Sequence, residues 1–277
     1  MSELPGLVRR RVLIGSLGLV CAGWVHAQGV TGDAIVLGQT LSLQGGKNAY
    51  GVAAAQGMKL YFDQINAAGG LFGRKIVTRI LDDEAKADKA EANARELVAD
   101  GVFLLFSAID GGPSGAVMKV ANETKVPFFG PLAGPPTLRT PHQPLVFPVR
   151  AEHKDEFQAL MNWGKDTGLK TVGFLRADTP VGQAHLANVE RIAKELGLQL
   201  VVDLPFKGDT SDAQIAEWVK TIGERKPDMF INHGSAGLYQ KLVAQAKAAG
   251  LKTTFMAVNS GSSQIAKGLG PQAKGMV

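Results

Sequence analysis

Four short stretches of this chain carry residue types from which a site could be built, and each follows an apolar run. The first is Leu41-Ser42-Leu43-Gln44-Gly45-Gly46-Lys47-Asn48-Ala49-Tyr50-Gly51. Its glycines lack the spacing of a dinucleotide fingerprint, and Lys47 is not followed by the Ser or Thr of a phosphate loop. What remains is a glycine-rich loop opening a helix. It reads either as a holder of a small anion or polar group on backbone N–H groups, or as a plain strand–helix turn. The second stretch, Asp82-Asp83-Glu84, has enough charge for a divalent metal. Consecutive acids at a strand end point in different directions, and no companion ligand is near in sequence. Capping and dipole compensation of the next helix is the favoured reading. The third, Asp110-Gly111-Gly112-Pro113-Ser114, opens a helix at Pro113. Its backbone is placed for ligand contact at a lobe edge, with a plain turn as the alternative.

The fourth stretch is His233-Gly234-Ser235, where neither a general base at His233 nor a nucleophile at Ser235 has an acid partner in view. His142, His153, His185 and His233 show no zinc-binding spacing. No Gly-x-Ser-x-Gly elbow occurs. The one cysteine, Cys21, lies in the leader described below, which removes disulfides, thiolate metal sites and a cysteine nucleophile from the rest of the chain. Without a nucleophile, a metal set or a cofactor fingerprint, catalysis is the weaker reading, and no cofactor or metal is expected.

These stretches need elements to hold them, and the hydrophobic pattern supplies two alternating series. In the first, strands at 34–40, 75–81, 102–106 and 126–130 alternate with helices at 52–68, 85–99 and 113–123. The helix at 52–68 places Ala54, Met58, Tyr61, Phe62 and Ile65 on one face. A proline-rich link from Pro131 to Pro148 follows. It reads as a loop, one helical turn, then a strand at 145–150 that leaves the first lobe. The second series has helices near 152–167, 180–196, 211–224 and 236–249, and strands near 170–176, 198–204, 227–232 and 253–258. Short continuous apolar strands between helices point to parallel sheets covered on both faces. The expected fold is therefore α/β, two Rossmann-like lobes with parallel sheets flanked by helices. In such sheets ligands sit outside the carboxyl ends of the strands, so the residues just after each strand are the informative ones.

The front of the chain reads as a signal peptide, residues 1–27. Arg9, Arg10 and Arg11 precede an apolar stretch from Val12 to Trp24 that is too short to span a bilayer, and Val25-His26-Ala27 suits a signal peptidase. Gly18-Leu19-Val20 before Cys21 is a poor lipobox, so a free exported protein is expected. Residues 28–148 then form an N-terminal lobe and 149–277 a second lobe. No later apolar run is long enough to be transmembrane. The net charge of +5 belongs partly to the leader. Lysines and acids alternate along helices, as in Lys86-Ala87-Asp88-Lys89-Ala90-Glu91, which fits a solvated face better than a nucleic-acid surface.

One further run is the most informative: Gln64-Ile65-Asn66-Ala67-Ala68-Gly69-Gly70-Leu71-Phe72-Gly73-Arg74-Lys75-Ile76. Locally it is a helix end, a glycine stop and a strand start. With Asp82-Asp83, Val126-Pro127 and Lys252-Thr253-Thr254-Phe255, it resembles the type I periplasmic binding proteins of the leucine/isoleucine/valine-binding family, from about Ile35 to Val277. The resemblance implies a small-molecule solute trapped between lobes by hinge closure and an ABC importer permease as partner, in the periplasm. It excludes stable membrane insertion after leader cleavage, and nucleic acid as a partner. A sensing domain of the same fold and a two-lobed enzyme are the alternatives.

By position, the resemblance puts first-lobe contacts at Tyr50, Gly111, Ala133 and Gly134, with Asp110 beside them. Second-lobe contacts fall at Ser235 and Asn259, with Val181 near the cleft. Tyr50 keeps an aromatic ring suited to a ligand's apolar part. Family members that bind aliphatic amino acids have a serine where Gly111 stands, a tyrosine at Ser235 and a glutamate at Asn259. The uncharged Asn259 removes an attraction for an α-amine, and Asp110 adds negative charge where a carboxylate would dock. A small aromatic or aliphatic acid, an amide or another modified solute is expected rather than leucine, isoleucine or valine. Family chains also continue beyond Lys274-Gly275-Met276-Val277, which itself resembles the start of a strand. An apolar face of the first lobe is therefore expected to lie uncovered.

Overall fold

The computed structural model describes residues 28–44, 49–208, 210–258 and 262–277. The leader with Cys21, the Gly45–Asn48 part of the first loop and Asn259 lie outside them. The first sheet is built from β1 (Ala34–Leu41), β2 (Lys75–Asp82), β3 (Leu104–Phe106), β4 (Phe128–Phe129) and β5 (Val146–Phe147). Their order is β2-β1-β3-β4-β5, all parallel. The connecting helices are α1 (Ala49–Ala67), α2 (Ala87–Ala99) and α3 (Gly111–Thr124). The second sheet has order β7-β6-β8-β9, again parallel, from β6 (Thr171–Ala177), β7 (Gln199–Phe206), β8 (Met229–His233) and β9 (Thr254–Ala257). Its helices are α4 (His153–Asp166), α5 (Pro180–Leu196), α6 (Asp212–Arg225), α7 (Ala236–Ala248) and α8 (Ser262–Leu269).

The second sheet is sandwiched. On one face Phe157, Met161, Leu186, Val189 and Ile192 of α4 and α5 close over Val172, Phe174 and Ile231. On the other, Ile215, Trp218 and Ile222 of α6 join Tyr239, Leu242 and Val243 of α7 over Leu175, Phe230 and Phe255. Tyr239 is fully buried. Its hydroxyl lies 3.0 Å from the Phe230 carbonyl and 2.8 Å from that of Met256, so burying it costs little. Ser211 caps α6, its hydroxyl accepting from the Gln214 N–H at 3.2 Å. Val277 donates to the Phe255 carbonyl at 3.0 Å and accepts from the Ala257 N–H at 2.9 Å, the pattern of a parallel neighbour on the β9 edge.

The first sheet is sandwiched on one face only. There α2 and α3 pack Ala94, Leu97, Val117 and Val120 over Leu105 and Phe128. On the opposite face α1 covers β1 and β2 loosely, with a cavity of about 240 Å³ beneath it lined by Phe62, Asn66 and Ile80 among others. From Phe62 of α1 a row of rings runs across the face, through Phe106 and Phe129 to Phe147, at successive centroid spacings of 5.6, 6.3 and 6.4 Å. Phe129 is 45% exposed and Phe147 48%. The uncovered apolar face is therefore present among the described residues.

The Gln64–Ile76 run acquires a mechanical meaning. Asn66 donates to the Ile76 carbonyl at 2.8 Å and accepts its N–H at 2.7 Å, pairing both backbone groups that edge strand β2 leaves open. Gly70 donates to the Ile65 carbonyl at 2.9 Å. Phe72 (φ 51°) and Gly73 (φ 79°) then make a tight turn closed by Leu71 and Arg74. All of this lies at the amino end of β2, away from the ligand-binding end of a parallel sheet.

Three local expectations differ. Tyr61, expected on the inner face of α1, is 62% exposed, while its neighbour Phe62 turns toward Phe106 of the sheet. The strand expected over 145–150 is only Val146–Phe147, since one short neighbour, β4, is all it has to pair with. The acids after β2 do not cap α2, whose N-cap is Lys86 without a side-chain bond. Buried Asp83 instead accepts from Ser42 Oγ at 2.7 Å and Thr40 Oγ1 at 3.1 Å, while Asp82 accepts the Leu43 N–H at 3.0 Å. The pair anchors the start of the glycine-rich loop.

Candidate functional site

The carboxyl ends of the strands converge on a cavity of about 230 Å³ lined by Asp110, Gly111, Ala133, Gly134, Arg150, His153, His233, Gly234 and Val258. The first four lie in loops after β3 and β4. His233 ends β8, and Val258 follows β9. Arg150 comes from the crossing between lobes and His153 from the first residue of α4. A larger hollow of about 470 Å³ is lined by Leu169, Asp228 and Lys252 among others, at the amino ends of the second-lobe strands. Ligands of parallel sheets bind at the other end, which makes the smaller cavity the candidate.

Backbone geometry shapes the first-lobe wall. Asp110 precedes α3 with φ 62° and ψ 152°, an uncommon conformation for a residue with a side chain. Gly111 opens α3 beside it, and a Cβ there would lie 2.8 Å from Pro135 Cγ. Pro135 thus occupies the space a serine would need. A Cβ on Gly134 would lie 2.8 Å from the His153 ring, so glycine at this position admits the imidazole. The Gly134 carbonyl accepts the His153 N–H at 3.2 Å, tying the two segments together.

Arg150 is buried and meets Glu156 through two bonds, Nε at 3.0 Å and Nη2 at 2.8 Å. The pair is bidentate, so the guanidinium charge is largely neutralised inside the protein. His153 Nδ1 lies 3.1 Å from Glu156 Oε2. Burial pushes the Glu156 carboxyl up, but the bonds from His153 and Arg150 outweigh it and hold the group below its ordinary value.

Behind this pair three imidazoles meet. His153 starts α4, His185 lies on the inner face of α5, and His233 ends β8. Their ring centroids are 5.1 Å (His153–His185), 4.6 Å (His153–His233) and 4.1 Å (His185–His233) apart. Ligating nitrogens of the three all lie within 4.8 Å of one another. Phe157 packs edge-on to His185 and His233 at 5.7 and 5.6 Å. Burial drives His185 down to about 4 and His233 to about 2, so both imidazoles are neutral at pH 7. Such a set has the donor type of a transition-metal site.

Of the residues expected at the site, Asp110, Gly111, Ala133 and Gly134 line the cavity together. Tyr50 lies at the start of α1, half-buried; burial raises its phenol, and the charges it senses are Arg150, Asp110 and Glu156. Val181 is 65% exposed at the start of α5, one turn before His185, and does not line the cavity. Ser235 is also outside the lining. It caps α7, its hydroxyl accepting the Leu238 N–H at 3.4 Å, and a cap needs no bulky tyrosine. Asn259 lies outside the described residues. Sequence reasoning assigned no ligand contact to Arg150, His153, His233, Gly234 or Val258, although His233 and Gly234 stood in its fourth stretch. The post-strand rule reaches His233, Gly234 and Val258, but Arg150 sits in the crossing and His153 at the first residue of α4, where only the tertiary structure brings them to the cavity.

A family model for periplasmic binding proteins matches residues 34–277. The chain belongs to that family. Within it, the similarities lie with the type I, Leu/Ile/Val-binding group. A Leu/Ile/Val-binding protein homolog from Brucella abortus is 26% identical over 253 residues, covering 87% of this chain. The chain spans 62% of that relative's length. A substrate-binding periplasmic protein from Ralstonia solanacearum has the same fold, with a TM-score of 0.76 and 25% identity over 87% of this chain and 69% of its own. A solute-binding protein of an ABC transporter from Rhodopseudomonas palustris, solved with 3,4-dihydroxybenzoic acid, aligns with a TM-score of 0.68 at 22% identity. It covers 81% of this chain and 62% of its own. Members of this family are exported proteins, and among the described residues no helix is long and apolar enough to cross a membrane.

Proposed function

We propose that this protein is a periplasmic solute-binding component that holds a small polar solute, an amino-acid-like molecule, a carboxylate or an amide, between its lobes and hands it to an ABC importer. The observation that carries this reading is the convergence of post-strand loops from both lobes on one cavity of about 230 Å³. In it the backbone N–H of Gly111, at the start of α3, faces no helical partner and suits an anionic or carbonyl oxygen. Tyr50 offers a ring to the solute's apolar part. Arg150 is already committed to Glu156 and serves to hold the wall. The two lobes close on the solute about the crossing that follows β5, with binding favouring the closed form. Catalysis has no part in this reading.

Leucine, isoleucine and valine are poor candidates, because Gly111 has no hydroxyl and Asn259 no charge to offer them. Solved neighbours of the same fold include one in complex with 3,4-dihydroxybenzoic acid and a fatty acid ABC transporter substrate-binding protein, so the fold does not select the solute. Native mass spectrometry of the protein recovered from its own periplasm tests the reading. The expected result is a single small acid or amide bound one per chain, with a smaller radius of gyration in solution scattering than after its removal. A protein that emerges without solute and keeps one radius across a panel of small acids and amides contradicts it.

A further inference from the structure

We propose that His153, His185 and His233 form a binding site for one divalent transition-metal ion, of the zinc, nickel or cobalt class, in the second-lobe wall of the cleft. The three imidazoles come from three separate elements, the starts of α4 and α5 and the end of β8, yet their nitrogens lie within 4.8 Å of one another. A tetrahedral ion with nitrogen bonds of about 2.0–2.1 Å needs donors roughly 3.3 Å apart, within reach of small ring rotations. All-imidazole sets suit these metals, whereas a carboxylate-rich cluster would favour calcium or magnesium.

Two features beyond the cluster point to a ligand. His153 Nδ1 is held against Glu156 Oε2 at 3.1 Å, and Glu156 is fixed by two bonds from Arg150. With a proton on Nδ1 shared with the carboxylate, Nε2 is the ring's lone-pair donor, the second-layer arrangement that metal-bound histidines carry. His153 and His233 also line the cleft cavity, while His185 is buried behind them. The three donors therefore leave an open coordination position on the solute side. A carboxylate or amide oxygen of the solute would complete the set. Only that fourth ligand rests on the solute-binding reading; the metal site stands without it.

The test uses untagged protein stripped with a chelator and titrated with Co²⁺ followed by visible absorption, with Zn²⁺ calorimetry in parallel. One Co²⁺ per chain with the intense bands of tetrahedral cobalt, displaced by one Zn²⁺, is the expected result. His185→Asn and His233→Gln, each checked for an unchanged circular-dichroism melt, are expected to weaken binding at least a hundredfold. His142→Gln, at an exposed position in the link, is expected to leave it unchanged. Absence of stoichiometric Co²⁺ and Zn²⁺ binding to the folded wild-type protein overturns the site, as does binding that survives both variants. Metal binding without any solute binding would keep this site and sink the solute reading. Solute binding without metal binding would do the reverse.

Discussion

Phe230 in the second sheet and Phe129 in the first occupy inner strands of similar parallel sheets, and their environments are opposite. Phe230 is fully buried beneath α6 and α7, while Phe129 is 45% exposed in a row of rings. Among the described residues the second sheet carries helices on both faces, whereas the first is closely packed on one face and covered only in part, by α1, on the other. The difference teaches that similar parallel sheets place equivalent phenylalanines in a closed core or on an open face according to whether a helix lies over them. The closed cores and the proposed solute site are also separated in space: the cores lie under the sheets, and the cavity lies where the strands end.

The largest expected effects are in the closed cores. Phe230→Ala and Phe128→Ala, both fully buried, should each lose about 3–5 kcal/mol in urea unfolding, since each leaves a cavity the packed helices cannot fill. Equal losses would show that the covered face of the first lobe is as well packed as the second lobe. A small loss at Phe128 alone would show that the first lobe is loose throughout. Asn66→Ala should cost about 1–2 kcal/mol, because it leaves both backbone groups of Ile76 without their partners. A neutral result would remove the edge-strand role assigned to Asn66.

Asp228 is the second-lobe counterpart of that staple. Its Oδ2 accepts the Lys170 N–H at 2.8 Å, and the Thr171 N–H and Thr171 hydroxyl each at 2.9 Å. These bonds, led by the one from Lys170, hold its carboxyl below the ordinary value. A depressed carboxylate contributes stability above the unfolded carboxylate pKa and loses it as pH falls through the folded one. Asp228→Ala should therefore cost about 1 kcal/mol at pH 7 and less at pH 3, because the group is mostly exposed and screened. A cost that persists undiminished at pH 3 would assign the effect to the side chain's packing. The smallest effect belongs to the open face. Phe129→Ser and Phe147→Ser should change stability by no more than about 0.5 kcal/mol. They should also lower self-association in analytical ultracentrifugation. Cooperative destabilisation by several times that amount would mean the row of rings is structurally committed.

Periodicity made most of the fold legible. Ile215, Trp218 and Ile222 recur at helical spacing and are buried in α6, and Ser211 caps that helix. Helix α8 went unread, because its polar start Ser262-Ser263-Gln264 reads as loop. Local pattern also misled at Tyr61, which is exposed while its neighbour Phe62 turns toward Phe106 of the sheet. At the site, Gly111 stood out as a post-strand position and Gly134 through the family resemblance, but the reason for glycine there is a contact with Pro135 and His153, distant in sequence. The histidine cluster was invisible for the same reason. His153, His185 and His233 have no metal-binding spacing, and only the packing of α4 and α5 against β8 brings them together.

The central claim is that the cavity between the lobes is where solute binds, and blocking it is the most direct test. Gly111→Leu points a side chain toward Pro135 at the cavity wall, away from both closed cores. Calorimetric titration of wild type and variant with the solute identified in the native protein, alongside their melting curves, decides the matter. One site per chain in the wild type, lost in a Gly111→Leu protein that melts within a few degrees of it, is the expected result. Undiminished binding in that folded variant would contradict the account.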